Sequence, residues 1–365
     1  MDASGIRKVF DLASRLRDPI DLSIGQPDFD VPEPAKAALE AAVRRGQNRY
    51  TPSAGLVELR EAVRRRCRTR LGFEPEDAMI TSGTSGGLTL AFLATLDPGD
   101  EALVPDPYFV SYRQLALMCG AVPRFYELYP DFRLSRESLE RAWTPRAKVL
   151  VLNSPANPTG AVLSEDEVRL ACEFARERGM VVVSDEVYDS FWYGLRPVSP
   201  ARFYERTLTL GGWSKSHAMT GWRCGWAAGP AELLREMVKL QQFTFVCAPA
   251  PVQRAVLETI DLDTERVRLA YRAKRDIACS ILREAFELAT PEGAFYAFPS
   301  LRGVPGASLA AKAVERGVLV IPGGVFSARD THFRLSFAAT DETIRRGCRE
   351  LVALARELAS GGRAV

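Results

Sequence analysis

The sequence is short of the residues that build metal centres and disulfide frameworks. Histidine occurs only at 217 and 332. The seven cysteines, at 67, 119, 172, 224, 247, 279 and 348, form no C-x-x-C pair. This scatter argues against a zinc site or any other metal centre and against a disulfide scaffold, and it predicts reduced thiols in a cytoplasmic protein. No stretch approaches the roughly 18 apolar residues of a membrane-spanning helix. Met1 to Asp11 lacks the apolar core of a secretory signal. An excess of charge is missing too: 48 Lys and Arg oppose 46 Asp and Glu, and a net +2 gives no pull toward nucleic acid or an anionic membrane. Lysine itself is scarce, with seven against a much larger number of arginines, so a lysine in an unusual setting stands out. The run Arg64-Arg65-Arg66 reads as the solvated face of a helix.

At 365 residues the chain exceeds what one compact core usually holds, so two domains are expected. From about residue 46 to 245 helical patterns alternate with short apolar strands, the mark of an α/β layer around a mostly parallel sheet. Ser53 is placed to cap a helix running to Gly72. The strands are Ala78–Thr81, Val149–Leu152, Met180–Val183, Leu208–Gly211 and Cys224–Ala228. Val149–Leu152 is apolar throughout, as a strand covered on both faces should be. Ser164-Glu165-Asp166-Glu167 is a capping box for a helix that stops at Gly179. After about residue 255 a long charged helix is expected from Asp263 to Leu288. Short strands follow at Ala294–Phe298, Val318–Ile321 and Phe333–Phe337, with a last helix from Asp341. This segment reads as a smaller α+β domain. The expected division is 46–255 for the large domain, with 1–45 and 256–365 forming the small one.

Ligands of open parallel sheets sit at the carboxyl ends of the strands, and the chemically distinctive residues fall there. Ser82-Gly83-Thr84-Ser85-Gly86-Gly87 follows a strand and opens a helix, where backbone N–H groups can approach an anion; a plain strand–helix turn explains it equally well. Asp185 ends another strand, as a helix cap or as a buried carboxylate facing a cation. Asn153-Ser-Pro-Ala-Asn157-Pro-Thr-Gly160 is a rigid turn with an amide side chain at each end of its core. The sharpest feature is Trp213-Ser214-Lys215-Ser216-His217-Ala218-Met219-Thr220-Gly221-Trp222-Arg223. Lys215 lies among small and aromatic residues, where a desolvated amine loses its proton readily and becomes a nucleophile. Arg223 is near enough to help hold a phosphate. His217 is adjacent but is not assigned a catalytic role.

In this order the motifs resemble the fold-type-I pyridoxal-phosphate enzymes, specifically the class I/II aminotransferase family of the aspartate aminotransferase type. The resemblance runs over nearly the whole chain. It takes in Leu22-Ser-Ile-Gly25-Gln-Pro-Asp-Phe-Asp-Val-Pro32, Tyr50-Thr-Pro-Ser-Ala-Gly55, Thr81-Ser-Gly83, Pro107-Tyr-Phe109, Asn157-Pro-Thr-Gly160, Asp185-Glu-Val-Tyr188, Ser214-Lys215, Gly221-Trp-Arg223 and Phe333-Arg334-Leu-Ser336-Phe. It implies a seven-stranded, mostly parallel sheet between helices, the cofactor pyridoxal 5′-phosphate, and a homodimer with shared active sites. It further implies that Lys215, preceded by Ser214 in the cofactor loop, carries the cofactor as a Schiff base. Asp185 would pair with the ring nitrogen, Tyr188 and Asn157 would bond the ring oxygen, and Phe109 would stack on the ring. Gly83, Thr84, Ser85 and Arg223 would hold the phosphate, with Tyr50 reaching it from the neighbouring subunit. Arg334 would bind the substrate α-carboxylate, with Gly25 and Asn157 beside it.

One departure is Gly212, where relatives often place a hydroxyl residue on the phosphate. The chain is also somewhat short, which suggests a trimmed segment before Gly25. The expected function is transfer of an amino group between an α-amino acid and a 2-oxo acid by a ping-pong cycle. A carbon–sulfur lyase, a decarboxylase or an aminocyclopropane-carboxylate synthase would keep the same lysine, aspartate and arginine. A sensor fused to a DNA-binding domain would need an N-terminal extension, and the fold pattern begins almost at once. Ile24 and Tyr108 are candidates for the substrate pocket, or equally for packing. No second basic group for a dicarboxylate is assigned.

Overall fold

The computed structural model describes residues 18–361. The N-terminal stretch read for a signal sequence lies outside the described residues. The chain opens with strand β1, Ile20–Asp21, and the helix Glu33–Arg44. Seven strands then build the central sheet: β2 Asp77–Thr81, β3 Glu101–Asp106, β4 Val122–Glu127, β5 Ala147–Asn153, β6 Val181–Asp185, β7 Thr207–Gly212 and β8 Gly225–Gly229. Their order is β2-β8-β7-β6-β5-β3-β4. Only β8 runs against its neighbours, β2 and β7; the remaining pairs are parallel. The α/β fold with a seven-stranded, mostly parallel sheet between helices is therefore as the sequence pattern and the resemblance imply.

The two faces of β5 show why its sequence is apolar without a break. Val149 and Val151 pack with Val183, Leu210 and Phe92 on one side, while Leu150 and Leu152 pack with Val182 and Phe174 on the other. Helices cover both faces, so alternation of polar and apolar residues has no place in such a strand. The predicted capping box is present: the Ser164 hydroxyl accepts from the Glu167 N–H, and the Glu167 carboxylate accepts from the Ser164 N–H at 2.7 Å.

Several local expectations are corrected. Ser53 does not cap the helix Val57–Arg66, whose N-cap is Leu56; the Ser53 carbonyl instead accepts from Gln241 Nε2. That helix widens into a π-helical turn, Cys67–Leu71, ended by Gly72. Arg65 is exposed as expected, but Arg64 is only partly so, and Arg66 is buried and bonds Asp189 at 2.6 Å. The charged helix runs only over Glu265–Leu282, because Phe286 turns back into the core and stacks edgewise on Phe333.

The remaining strands are shorter than expected: β9 Tyr296–Ala297, β10 Val318–Leu319, β11 Ile321–Pro322 and β12 Phe333–Ser336. The run 318–321 splits because β10 pairs with β1 while β11 pairs with β12. The last helix is Asp341–Gly361. Leu22, Tyr271, Phe295, Leu335 and Leu351 share one core, which ties the segment before residue 45 to the one after 256. Among the described residues, no helix is long and apolar enough to cross a membrane.

Candidate active site

The carboxyl ends of the parallel strands, the start of the helix Gly83–Thr95 and the loop between β7 and β8 meet at one cavity of ≈ 340 Å³. Its lining includes Gly25, Thr84, Ser85, Phe109, Asn157, Asp185, Tyr188, Ser214, Lys215, Arg223 and Arg334. These residues come from positions more than 300 apart in the chain, so the topology brings together what the sequence analysis singled out one motif at a time.

Lys215 is half-buried, and its Nζ donates to the Gly25 carbonyl at 2.5 Å. Burial, reinforced by the charges of Arg334 and Arg223, lowers its amine to about 8 against the opposing pull of Asp185. A lysine with that value has a usable free-base fraction near neutrality, as a nucleophile requires. Asp185 ends β6 and is buried. Tyr112 donates its hydroxyl to Asp185 Oδ2 at 2.8 Å, and the Val187 N–H approaches Oδ1 at 3.3 Å. Burial raises the Asp185 carboxyl above its usual range, and these hydrogen bonds only partly offset it. A buried carboxylate without a cation in contact is costly, so this one is suited to a cationic ring nitrogen.

The anion end of the cavity is built by Gly83 and Arg223. Gly83 has φ +68°, and a Cβ there would overlap the Arg223 guanidinium. Arg223 itself holds a left-handed backbone, φ 54°, and Nη1 donates to the Thr220 carbonyl at 2.9 Å. Strained backbone of this kind persists where surrounding structure over-determines it, commonly at ligand sites. The Ser82 side chain does not cap the helix that starts beside it, so first-turn N–H groups are left for an anion.

The Thr84 hydroxyl is already used, donating to the Gly211 carbonyl at 3.0 Å. A Cβ at Gly212 would come within 2.8 Å of that hydroxyl oxygen. Thr84 thus fills the space that a hydroxyl residue at 212 would need, which accounts for the departure noted there. A cavity with a nucleophilic lysine, an unpaired carboxylate and an anion cradle fits pyridoxal phosphate.

The other end is dominated by Arg334, which is buried. Its Nη2 donates to the Ser23 carbonyl at 2.8 Å and its Nη1 to Asn157 Oδ1 at 3.1 Å, while Nε has no partner among the described residues. The ring of Tyr296 lies 4.5 Å from the guanidinium carbon. Because Asn157 spends its oxygen on Arg334, its NH₂ remains free to donate toward the cavity. The Tyr188 hydroxyl bonds that of Tyr296 at 2.8 Å.

Tyr112 and Tyr296 were not singled out from the sequence. Tyr112 sits one helical turn after Phe109, and only the fold shows that this turn faces the end of β6. Tyr108 does not line the cavity: it is buried against Phe125, and its N–H donates to the Phe326 carbonyl. Ile24 does line it. His217 bonds Ser216 and the Thr259 carbonyl, outside the cavity lining, and burial holds its ring at about 4, hence neutral. Tyr50 is 84% exposed and does not contribute to its own chain's cavity. Among the described residues, no cluster of three or more His, Cys, Asp or Glu is arranged to hold a metal ion.

Comparison with known proteins gives a consistent result. Residues 17–351 match the family model described as aminotransferase class I and II. An aspartate/prephenate aminotransferase from Cereibacter sphaeroides is 37% identical, over 95% of this chain and 93% of that protein. Aromatic-amino-acid aminotransferase 2 from Thermococcus litoralis is 35% identical, over 94% and 93%. A solved structure of Thermus thermophilus aspartate aminotransferase with maleate superposes with a TM-score of 0.93 at 36% identity, covering 97% of each chain.

Proposed function

This chain belongs to the class I and II aminotransferase family and is an aminotransferase, and on that footing we propose that it works with pyridoxal 5′-phosphate attached to Lys215, in a ping-pong cycle. The observation that carries the proposal is the Lys215 amine, held at about 8, sharing one cavity with Asp185, Arg223 and Arg334. Asp185, oriented by Tyr112, would face the ring nitrogen and keep it protonated. Tyr188 and the Asn157 NH₂ would donate to the ring oxygen, and Phe109 would cover the ring face. The backbone of Gly83, Thr84 and Ser85, together with Ser214, Arg223 and the partner's Tyr50, would hold the phosphate.

When bound, the cofactor supplies a sink for the electron pair released at the substrate Cα. The protein's own part is positioning and proton transfer. Arg334 offers a planar fork to the α-carboxylate, held rigid by Ser23 and Asn157, with the Gly25 backbone beside it. Lys215 Nζ would take the proton from the substrate Cα and hand it on within the cavity. Its lowered proton affinity lets it accept and release that proton near neutral pH.

A homodimer with shared sites is part of the proposal. Tyr50 and Phe243, 84% and 88% exposed, are large side chains that a lone protomer leaves in water. The Tyr50 turn is fastened to the rest of the chain through Gln241 to Ser53 and Gln253 to Thr51. Their exposure leaves both side chains available for contact with a second copy of the chain. The proposed division of labour is a large cofactor-binding domain, 46–255, and a small domain of 1–45 and 256–365. The seven free cysteines suit a reducing, cytoplasmic setting. Borohydride treatment of the holoenzyme followed by peptide mapping tests the attachment, since only a C=N linkage is reduced in that way. The label is expected on Lys215; a label on Lys148 or Lys239 would refute the assignment.

A further inference from the structure

We propose that Tyr296 is a positioning residue for the cofactor: its hydroxyl donates to that of Tyr188 and so sets how strongly Tyr188 holds the pyridoxal ring oxygen. This rests on the reading of Tyr188 as a donor to that oxygen. The two hydroxyls lie 2.8 Å apart. Both side chains are buried within the one chain and line the cavity, so the pair is complete without a partner subunit. A phenol has one proton to give. With the Tyr188 proton spent on the ring oxygen, the bond between the two tyrosines has to be made with the proton of Tyr296. The chain of donation then runs from Tyr296 to Tyr188 to the cofactor. A hydroxyl that accepts one hydrogen bond is polarised into a better donor of the next.

Tyr296 is held in place for this. It lies in β9 opposite Ser336 of β12, the strand that carries Arg334. The Ala294 N–H donates to the Phe191 carbonyl at 3.0 Å, and the Phe191 N–H donates to the Tyr188 carbonyl at 2.8 Å. These bonds fasten the approach to β9 onto the turn that bears Tyr188. The rings of Tyr188 and Tyr296 meet edge to face, with centroids 5.8 Å apart. A Cβ at Gly25 would come within 2.8 Å of the Tyr296 oxygen, so the bare backbone there leaves the hydroxyl its space. Burial raises both hydroxyls above the usual phenol value, and at Tyr296 the charge of Arg334, 4.5 Å from its ring, is the chief opposing pull. That charge favours Tyr296 as the giver of the proton.

Absorbance of the C=N linkage on Lys215, followed across a pH series in the holoenzyme, reads the effect without turnover. A ring oxygen held less strongly keeps more negative charge and retains the proton on the C=N nitrogen to higher pH. Tyr296→Phe preserves the ring and its packing and removes only the hydroxyl. The midpoint should move upward by roughly 0.5 pH unit, a part of one neutral hydrogen bond passed on through Tyr188. In a Tyr188→Phe background the same substitution should move the midpoint no further, as expected of residues that act through one another. An unchanged midpoint in Tyr296→Phe would overturn the proposal. So would a downward shift, which would mean that Tyr188 had been giving its proton to Tyr296. An equal shift in both backgrounds would overturn it as well, because Tyr296 would then act without Tyr188. If Tyr188→Phe alone leaves the midpoint where the wild type has it, the reading of Tyr188 falls, and this proposal with it.

Discussion

Tyr112 donates its hydroxyl to Asp185 Oδ2 at 2.8 Å, and both groups are buried. The bond fixes the carboxylate at the end of β6 while leaving Oδ1 with only a long approach from the Val187 N–H. Tyr112→Phe removes the bond without opening a large cavity. A hydrogen bond to a charged group contributes roughly 1.5–3 kcal/mol, so pyridoxal phosphate should be retained about 10- to 100-fold less tightly. Equilibrium dialysis of the variant measures this, and an unchanged dissociation constant would show that Asp185 needs no such support.

The Lys215 amine predicts how fast cofactor-free enzyme captures pyridoxal phosphate. Only the unprotonated amine attacks the aldehyde, so the capture rate should rise with pH and level off above about 8, where burial and the neighbouring arginines place this group. An ordinary lysine would keep gaining rate to about 10.4. Stopped-flow absorbance across this range separates the two profiles.

Gly212 and Thr84 are expected to behave as a pair. Gly212→Ser alone puts a Cβ within 2.8 Å of the Thr84 hydroxyl oxygen. Overpacking of this kind costs about 1–3 kcal/mol, so the melting temperature should fall. Thr84→Ala together with Gly212→Ser should recover much of that loss, a coupling expected only of residues in contact. Additive losses in the double variant would contradict the steric account.

The proposed sharing of the site between two subunits makes a prediction for hybrid dimers of Lys215→Ala and Tyr50→Ala chains. If Tyr50 serves the partner's cavity, both lesions fall in one site and the other is intact. The hybrid should then keep roughly half of wild-type activity, provided that the sites act independently. If Tyr50 serves its own chain, the hybrid will do no better than half of the Tyr50→Ala homodimer.

The parts of the site that could be read from sequence are those carried on local motifs. Asp185 ends a strand, Gly83 opens a helix, and Asn157 and Lys215 lie in the turns that follow β5 and β7, while buried parallel strands announce themselves by unbroken apolar runs such as Val149–Leu152. The parts that escaped depend on packing between distant segments. Tyr112 and Tyr296 look like ordinary core residues until the fold sets one against Asp185 and the other between Tyr188 and Arg334. Tyr108 was the converse case, an aromatic next to a motif residue that turned out to pack against Phe125. Arg66 sits in a basic run that reads as solvated, yet Asp189, more than 120 residues away, buries it. Phe286 ends the charged helix early by joining a core formed from segments that no local pattern links.

In the proposed function Lys215, Asp185 and Arg334 together run a transamination. The most direct test is a single half-reaction: purified holoenzyme mixed with one donor amino acid and no oxo-acid acceptor, with the products quantified. One equivalent of 2-oxo acid per active site is expected, then arrest, with turnover resuming only when a second oxo acid is added. Continuous release of ammonia, carbon dioxide or a thiol from the donor alone would contradict it.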